Sequence, residues 1–207
     1  MTAPFPVAAD SVIELDQDAR LWCWDGPVLP CPDLISRLRD RLPWEQPSIR
    51  LFGHWHPIPR LQCWCADAGA DYRYSGRQLP RTDWTPELSA LRSMTSAMTG
   101  KPFNSVLVNL YRDGRDSMGW HADDEPELGP TPWIASWTFG APRDFVLRRK
   151  GETRISHSMR LQHGQLLLMS PAVQHCWQHA LPRRTRVAGD RMNLTFRYVQ
   201  PGSGRSE

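Results

Sequence analysis

His121 and Asp123 stand one residue apart in the segment RDGRDSMGWHADDE. In an extended chain the side chains of residues i and i+2 point to the same side, so this imidazole and this carboxylate converge. Both groups bind divalent metals, but an HxD pair also arises by chance and is then only a surface hydrogen bond. The pair predicts a metal site only if a third ligand arrives from another segment.

Two histidines downstream, His175 and His179, could supply that ligand. They flank the letters CWQ, and on a strand residues four apart face the same side, so periodicity leaves both open. Two histidines and one carboxylate form the facial triad of non-haem Fe(II) proteins, which leaves positions for other ligands. Those positions suit a bidentate 2-oxo acid and dioxygen.

The segment RMNLTFR, residues 191–197, alternates polar and apolar letters with the period of a strand. Its apolar side chains should face a core, and its polar side chains could face either water or a bound anion. The polar side chains are Arg191, Asn193, Thr195 and Arg197. Because guanidinium groups bind carboxylates bidentately, they favour an oxo acid with a second carboxylate. Asn109 and Tyr111, on one face of another predicted strand, could add hydrogen bonds.

Two helices are predicted in the first half of the chain. Residues 33–42 place leucine and isoleucine on one helical stripe behind Asp33 as N-cap. A second helix has Thr85 as N-cap, Pro86 at its first position and Gly100 as its stop. We expect both helices to brace one side of a sheet.

The pattern changes to strands after Gly100. The predicted strands are 105–111, 133–139, 144–149, 153–156, 165–169, 175–179 and 191–198. Short strands separated by turn signals predict an antiparallel sandwich or jelly roll. The expected fold class is therefore α+β, a double-stranded β-helix (jelly roll) braced by N-terminal helices.

The composition is that of one ordinary globular domain. The chain has 207 residues, 40% of them hydrophobic and 23% charged, and no stretch approaches the roughly 20 apolar residues of a membrane span. The first residues do not resemble a secretory signal, so a cytoplasmic location is expected. Five cysteines without CxxC spacing predict neither a disulfide framework nor a zinc ribbon. A net charge of +3 permits nucleic-acid binding without requiring it.

The motifs NLY, WHADDE, HALP and RMNLTFR, in that order, resemble the AlkB family of Fe(II)- and 2-oxoglutarate-dependent dioxygenases, which oxidatively demethylate nucleobases. The resemblance runs from Leu51 to Tyr198. Within the family, the segments LFGHWHPIPR, DAGADYRYSG and IASWTFGAPRDF most resemble the branch that repairs duplex DNA. A single catalytic domain over 1–207 is implied. Its parts would be an N-terminal extension with a helix (1–48), nucleotide-recognition strands and helix (49–100), the jelly-roll core (101–199) and a tail (200–207).

The resemblance implies a role for each matching residue. His121, Asp123 and His179 match the metal ligands, because the family's LP follows the distal histidine. The residues that match the 2-oxoglutarate pocket are Asn109, Tyr111, Arg191, Asn193, Thr195 and Arg197. The residues that match the substrate site are Phe52, Arg60, Tyr72, Tyr74, Asp124 and Glu125.

The substrate residues have distinct expected roles in that family. A flipped base is held between the first ligand histidine and an aromatic residue, here Tyr74, with Tyr72 on the same strand face. The acidic pair that follows Asp123 matches positions at the exocyclic edge of the base. Phe52 is the tip of an apolar finger that enters the duplex, and Arg60 would contact phosphate or the opposite strand.

The implied function is direct-reversal repair of DNA by oxidative demethylation of N-alkylated bases, such as N1-methyladenine and N3-methylcytosine. Fe(II), 2-oxoglutarate and O2 are the implied cofactors, and succinate, CO2 and formaldehyde the products. Such bases are cationic, so aromatic faces and carboxylates stabilise them. The expected partner is alkylated duplex DNA, with RNA as a further possibility, and the expected state is a monomer away from membranes. The alternatives are a same-fold oxygenase acting on RNA or protein, and a non-catalytic protein that binds damaged bases.

Overall fold

The computed structural model describes residues 5–27, 29, 33–51, 53–70, 73–74 and 77–200, and at 51, 73–74 and 77–78 it describes the main chain only. Phe52, Tyr72, the side chain of Tyr74 and the tail after residue 200 therefore lie outside the described residues. No helix within the described ranges combines the length and the hydropathy that a bilayer span needs.

The secondary structure of the described residues consists mostly of strands. The helices are α1 Leu34–Arg41, α2 Pro86–Thr99 and α3 Pro171–Cys176, with a 3-10 turn at Pro126–Leu128. The strands before α2 are β1 Ser11–Glu14, β2 Arg20–Trp24, β3 Ser48–Leu51, β4 His54–Pro57, β5 Leu61–Ala66, β6 Arg73–Tyr74, β7 Arg77–Gln78 and β8 Arg81–Thr82. The strands after α2 are β9 Ser105–Tyr111, β10 Met118–His121, β11 Ile134–Gly140, β12 Arg143–Arg149, β13 His157–Leu161, β14 Gln165–Met169, β15 Trp177–Leu181 and β16 Arg191–Arg197.

Two sheets form the body of the protein. The larger has the order β1-β2-β14-β11-β16-β9-β5-β8 and is antiparallel except where β5 pairs with β8. The smaller has the order β10-β15-β12-β13, and β3–β4 and β6–β7 are separate hairpins. One apolar cluster contains side chains from both sheets, so the sheets face each other. The predicted jelly roll is confirmed.

The larger sheet is covered on both faces. One face packs against the apolar side chains of α1 and α2, while the other shares a core with the smaller sheet. Because β16 lies in the middle of the larger sheet, all seven of its residues are buried. The polar face of RMNLTFR therefore does not face water. Of the two predicted environments for this face, water is wrong, and a bound anion is the one that is left.

The helix signals before the sheet are mostly correct. Thr85 Oγ1 accepts a hydrogen bond from the Leu88 amide at 3.2 Å, and Gly100 ends α2 in the left-handed region at φ 64°. Asp33 does precede α1, but its side chain makes no capping hydrogen bond. Both helices pack on the larger sheet, as expected.

The strands β1 and β2 have no counterpart among the predicted elements. They extend the edge of the larger sheet, where β2 pairs with β14. Asp16, in the turn between them, accepts hydrogen bonds from Arg149 Nη2 at 2.8 Å and Trp177 Nε1 at 2.9 Å. This part of the expected N-terminal extension is thus built into the sheet.

Two predicted strands are displaced. Residues 153–156 belong to the connection after β12, and pairing resumes only when His157 meets Leu147. The predicted strand 175–179 is split because a helix begins at Pro171, directly after its N-cap residue Ser170. The helix α3 runs to Cys176, and strand β15 begins at Trp177.

Gly114 lies where two loops approach closely, and alanine there is expected to destabilise the fold by about 3 kcal/mol. A Cβ atom at this position would stand 1.9 Å from the carbonyl oxygen of Arg184, so main chain would have to move. Urea denaturation measures the loss. Gly119→Ala is the matched control, because a Cβ there meets nothing within 4 Å. Equal stability of the two variants would contradict this reasoning.

Candidate active site

A His-Asp-His cluster lies at one end of the space between the sheets. His121 and His179 are directly opposite each other on β10 and β15, and their ring centroids are 4.3 Å apart. Asp123 follows two residues after the end of β10. Ligand atoms of the three residues all lie within 4.8 Å of one another. The chain thus brings together the pair seen in HxD and one distal histidine.

Of the two histidines that periodicity leaves open, only His179 reaches the cluster. His175 lies on α3, is exposed, and its Nε2 is 2.9 Å from the carbonyl oxygen of Pro130. His179 is buried, and its Nε2 is 3.8 Å from Asp123 Oδ2. The helix that interrupts the predicted strand is what turns the two side chains in different directions.

The three groups have the protonation states that a divalent metal requires. Burial raises the pKa of Asp123, but Arg197 and the two histidines outweigh it and hold that pKa at about 2. Burial and the nearby His121 lower the pKa of His179 to about 3, and burial also lowers the pKa of His121. At neutral pH the carboxylate is ionised and both imidazoles are neutral, as in metal ligands. The cluster therefore fits Fe(II).

Arg197 connects this cluster to β16. Its Nη2 donates to Asp123 Oδ1 at 2.5 Å, and both side chains are almost completely buried. Charge-assisted hydrogen bonds of this kind are the strong ones, and they fix the geometry of both partners. The carboxylate of the cluster is therefore held at one oxygen by the strand that carries the polar face.

The polar face of β16 forms one wall of a cavity that reaches the cluster. The cavity has about 470 Å³ of empty space, including solvent at its mouth. The polar residues on this wall and on the neighbouring β9 are Asn109, Tyr111, Arg191, Asn193, Thr195 and Arg197. The structure thus brings all six residues of the expected co-substrate pocket together.

Arg191 is a buried cation at the other end of β16 from Arg197. It is 2% exposed, its Nη2 donates to Thr138 Oγ1 at 2.9 Å, and its guanidinium lies 5.4 Å from the centre of the Tyr111 ring. Burial lowers its pKa to about 10, so it stays charged at neutral pH. No carboxylate among the described residues pairs with it, and its Nε has no hydrogen-bond partner. Because an unpaired buried charge is costly, the position favours an anionic ligand.

Two polar neighbours of this pocket, Ser136 and Thr138, are missing from the sequence-based set. Ser136 Oγ accepts a hydrogen bond from Asn193 Nδ2 at 2.8 Å, and Thr138 bonds Arg191. Both lie on β11, directly opposite residues of β16. The alternation in IASWTFG was the available signal, since it puts these two hydroxyls on one face.

Arg60 lies elsewhere than expected for a residue that contacts phosphate. It is 4% exposed, and its Nε donates to Asn109 Oδ1 at 2.9 Å. The side chain therefore adjoins the co-substrate pocket and not the outer surface, because β5 pairs with β9 and draws the preceding residue inward. Its position suits a role in orienting Asn109.

The acidic pair directly follows Asp123 of the cluster, and neither of its residues lines the cavity. Asp124 is exposed and forms an ion pair of 2.6 Å with Lys150, and Glu125 is partly buried. Tyr74 belongs to β6, of which only the main chain is described. Phe52 and Tyr72 are not among the described residues.

The facial cluster, the basic pocket beside it and the jelly roll together define a non-haem Fe(II) oxygenase. Residues 32–197 match the family model of the 2OG-Fe(II) oxygenase superfamily. Among solved structures, OsALKBH1 is 16% identical with a TM-score of 0.62, covering 91% of this chain and 100% of its own. A 2OG-Fe(II) family oxidoreductase from Burkholderia pseudomallei is 16% identical with a TM-score of 0.56, covering 90% of this chain and 89% of its own. These two likenesses concern the fold.

Comparison with curated relatives identifies the family within this superfamily. DNA oxidative demethylase ALKBH2 of Mus musculus is 46% identical over 74% of this chain, and its Homo sapiens counterpart is 45% identical over 73%. Alpha-ketoglutarate-dependent dioxygenase alkB homolog 3 of Rattus norvegicus is 40% identical over 81% of the chain. The matched region spans 67%, 60% and 59% of these three relatives. The chain belongs to the AlkB family of 2OG-Fe(II) oxygenases, and its cofactors are Fe(II), 2-oxoglutarate and O2.

Proposed function

We propose that this protein repairs DNA by oxidative demethylation of N-alkylated bases such as N1-methyladenine and N3-methylcytosine. The observation that carries the proposal is a His-Asp-His cluster that shares one cavity with a buried arginine lacking a described carboxylate partner. That pair of features suits a metal chelated by an acid with a second, distant carboxylate. The relatives named DNA oxidative demethylase support DNA as the substrate.

The metal and co-substrate roles follow from the contacts. His121, Asp123 and His179 hold Fe(II), which with 2-oxoglutarate and O2 supplies the oxidation that releases succinate, CO2 and the methyl carbon as formaldehyde. Arg197, bonded to Asp123, lies at the metal end of the pocket. Arg191 lies at the other end and binds the far carboxylate of 2-oxoglutarate.

The remaining polar side chains of the pocket keep its shape. Asn193 Nδ2 donates to the carbonyl oxygen of Trp137 at 2.7 Å, and Thr195 Oγ1 donates to Asn193 Oδ1 at 3.2 Å. Asn109 is held by Arg60, and Tyr111 lies beside Arg191. Since these groups are already hydrogen-bonded, the pocket is ordered before the co-substrate enters.

The base site is assigned on the resemblance. The flipped base is held between His121 and Tyr74, with Tyr72 as a further residue of the base site, and the acidic pair Asp124 and Glu125 contacts its exocyclic edge. Lys150 neutralises part of that acidic charge until the cationic base arrives. A single catalytic domain, a monomeric state, RNA as a second substrate and a cytoplasmic location stay predictions.

One assay tests this function. Protein loaded anaerobically with Fe(II) is given 2-oxoglutarate, O2 and one N3-methylcytosine in duplex DNA, single-stranded DNA or RNA. Mass spectrometry follows the repaired base, succinate and formaldehyde. We expect repaired base and succinate in equal amounts with DNA. Repair of RNA alone would make RNA the substrate, and binding of methylated duplex without succinate would make the protein a non-catalytic binder.

Phe52→Ala should lower turnover on duplex DNA by about tenfold or more, because a wedge that offsets unstacking is worth a few kcal/mol per base step. Turnover on single-stranded DNA should change little, since there is no stack to open. The ratio of kcat/KM for the two substrates measures the effect. Trp55→Ala, which removes an exposed aromatic side chain of β4, is the matched control. Equal losses on both substrates would refute the finger assignment.

A further inference from the structure

Gln174 is a fully buried amide next to the metal cluster that neither the motifs nor the mechanism uses. It lies on α3 and is 0% exposed. Its Oε1 accepts a hydrogen bond from the main-chain amide of Asp123 at 3.0 Å, and its Nε2 lies 3.6 Å from Met169 Sδ. Burying an amide is unfavourable unless both ends are engaged, so its place here calls for an explanation.

The segment around Asp123 lacks regular secondary structure. It follows β10 and precedes the 3-10 turn, so no strand ladder holds its main chain there. Two side chains from elsewhere hold Asp123 instead: Arg197 binds the carboxylate and Gln174 binds the main chain. Because Asp123 is held at both its carboxylate oxygen and its main-chain amide, its side chain has little freedom to turn away from the imidazoles.

The helix that carries Gln174 leads directly into the strand that carries His179. The hydrogen bond from Asp123 to Gln174 therefore connects the loop that carries the ligand Asp123 to the helix that precedes the ligand His179. The next residue, His175, ties the far end of the same loop through the carbonyl oxygen of Pro130. Helix α3 is thus hydrogen-bonded to the loop 122–130 at two positions. Of these two bonds, only the one from Gln174 reaches a metal ligand, Asp123.

We propose that Gln174 is a positioning residue for the metal centre. Its carbonyl oxygen fixes the Asp123 main chain and so sets the carboxylate between His121 and His179. The inference rests on the proposed function for the identity of the ligands. Groups that orient metal ligands without touching the metal typically change metal affinity or activity by 10- to 100-fold when removed, roughly the effect expected here.

The chemistry of the site favours glutamine at this position. An acceptor is needed for the Asp123 amide, and a neutral one adds no negative charge to the buried carboxylate. Asparagine has the same groups but is one methylene shorter. The amino end meets the sulfur of Met169, which lines the same cavity, so one side chain restrains two walls.

Metal binding tests the inference without relying on turnover. Anaerobic titration with Co(II), followed by its absorption spectrum, is compared for wild type, Gln174→Met and Gln178→Met. Methionine keeps the length of the side chain but offers no strong acceptor. Gln178 is the matched control, because it is the residue before His179 but bonds Arg148 instead. Gln174→Met should bind Co(II) roughly 10- to 100-fold more weakly, with altered ligand-field bands.

Several outcomes would overturn the inference. One is wild-type Co(II) affinity and spectrum in Gln174→Met. Another is an equal loss of Co(II) affinity in Gln178→Met, whose affinity should stay within about threefold of wild type. Thermal denaturation of the metal-free proteins reports folding. If Gln174→Met does not fold, Gln174→Asn, which keeps both polar groups but is one methylene shorter, replaces it and must also bind Co(II) more weakly, and wild-type affinity there contradicts the role.

The failure of the proposed function gives a different result. Wild type and Asp123→Ala would then bind Co(II) equally well, because the triad would not be the metal site. If wild type binds and Asp123→Ala does not, the ligand assignment stands, and the behaviour of Gln174→Met alone decides the inference.

Discussion

Asp123→Ala is expected to abolish succinate release. The change removes the one carboxylate of the cluster and leaves two neutral imidazoles, which are a poor site for Fe(II). Mass spectrometry of succinate in anaerobically loaded protein measures the loss. Unchanged turnover in a folded Asp123→Ala protein would show that the metal lies elsewhere.

The same change has a second effect, on stability. Arg197 donates to Asp123 in the interior, and removing one partner of a buried ion pair costs about 3–5 kcal/mol. Loss of folding could therefore be mistaken for loss of a ligand. The double variant Asp123→Ala, Arg197→Met removes both charges and should recover most of the thermal stability but no turnover. Recovered stability shows that the unpaired Arg197 charge causes the destabilisation. The loss of activity is assigned to the ligand on the folded single variant, because Arg197 also lines the co-substrate pocket.

The sequence predicted most accurately what is local. The alternation of RMNLTFR placed four polar side chains on one face of a strand because strand periodicity needs no knowledge of the fold. Whether that face meets water or a ligand depended on the smaller sheet, whose strands come from segments far away in the chain. Only the structure shows that both faces of β16 are buried.

The distal histidine shows why a site can be half-predicted. Spacing treated His175 and His179 as equivalent because it assumed one continuous strand. The Ser170–Pro171 pair, which resembles a helix start, was the overlooked signal. Arg60 is the opposite case, since its inward position depends on the pairing of β5 with β9, and no local pattern encodes that.

Arg191→Met is expected to raise the KM for 2-oxoglutarate by about 30-fold or more. Removing one member of a buried, hydrogen-bonded charge pair costs about 2–5 kcal/mol. Among the described residues the only other cation that lines the cavity is Arg197, at the metal end. Arg191→Lys keeps the charge but loses the fork, so its KM should fall between those of wild type and Arg191→Met. Steady-state succinate formation over a range of 2-oxoglutarate concentrations measures all three.

Arg143→Met is the matched control for this variant. Arg143 is an equally buried guanidinium, but it donates to the main-chain carbonyls of Asp113, Asp116 and Pro182 and so supports loops. Its loss should lower the melting temperature and leave the KM for 2-oxoglutarate within about threefold, because it removes no contact to the co-substrate. If both variants raised KM alike, the effect would come from disturbed packing, and the carboxylate would have to be bound elsewhere. A rise confined to Arg191 assigns the two ends of the co-substrate, since Arg197 is already committed to the metal end by its bond to Asp123.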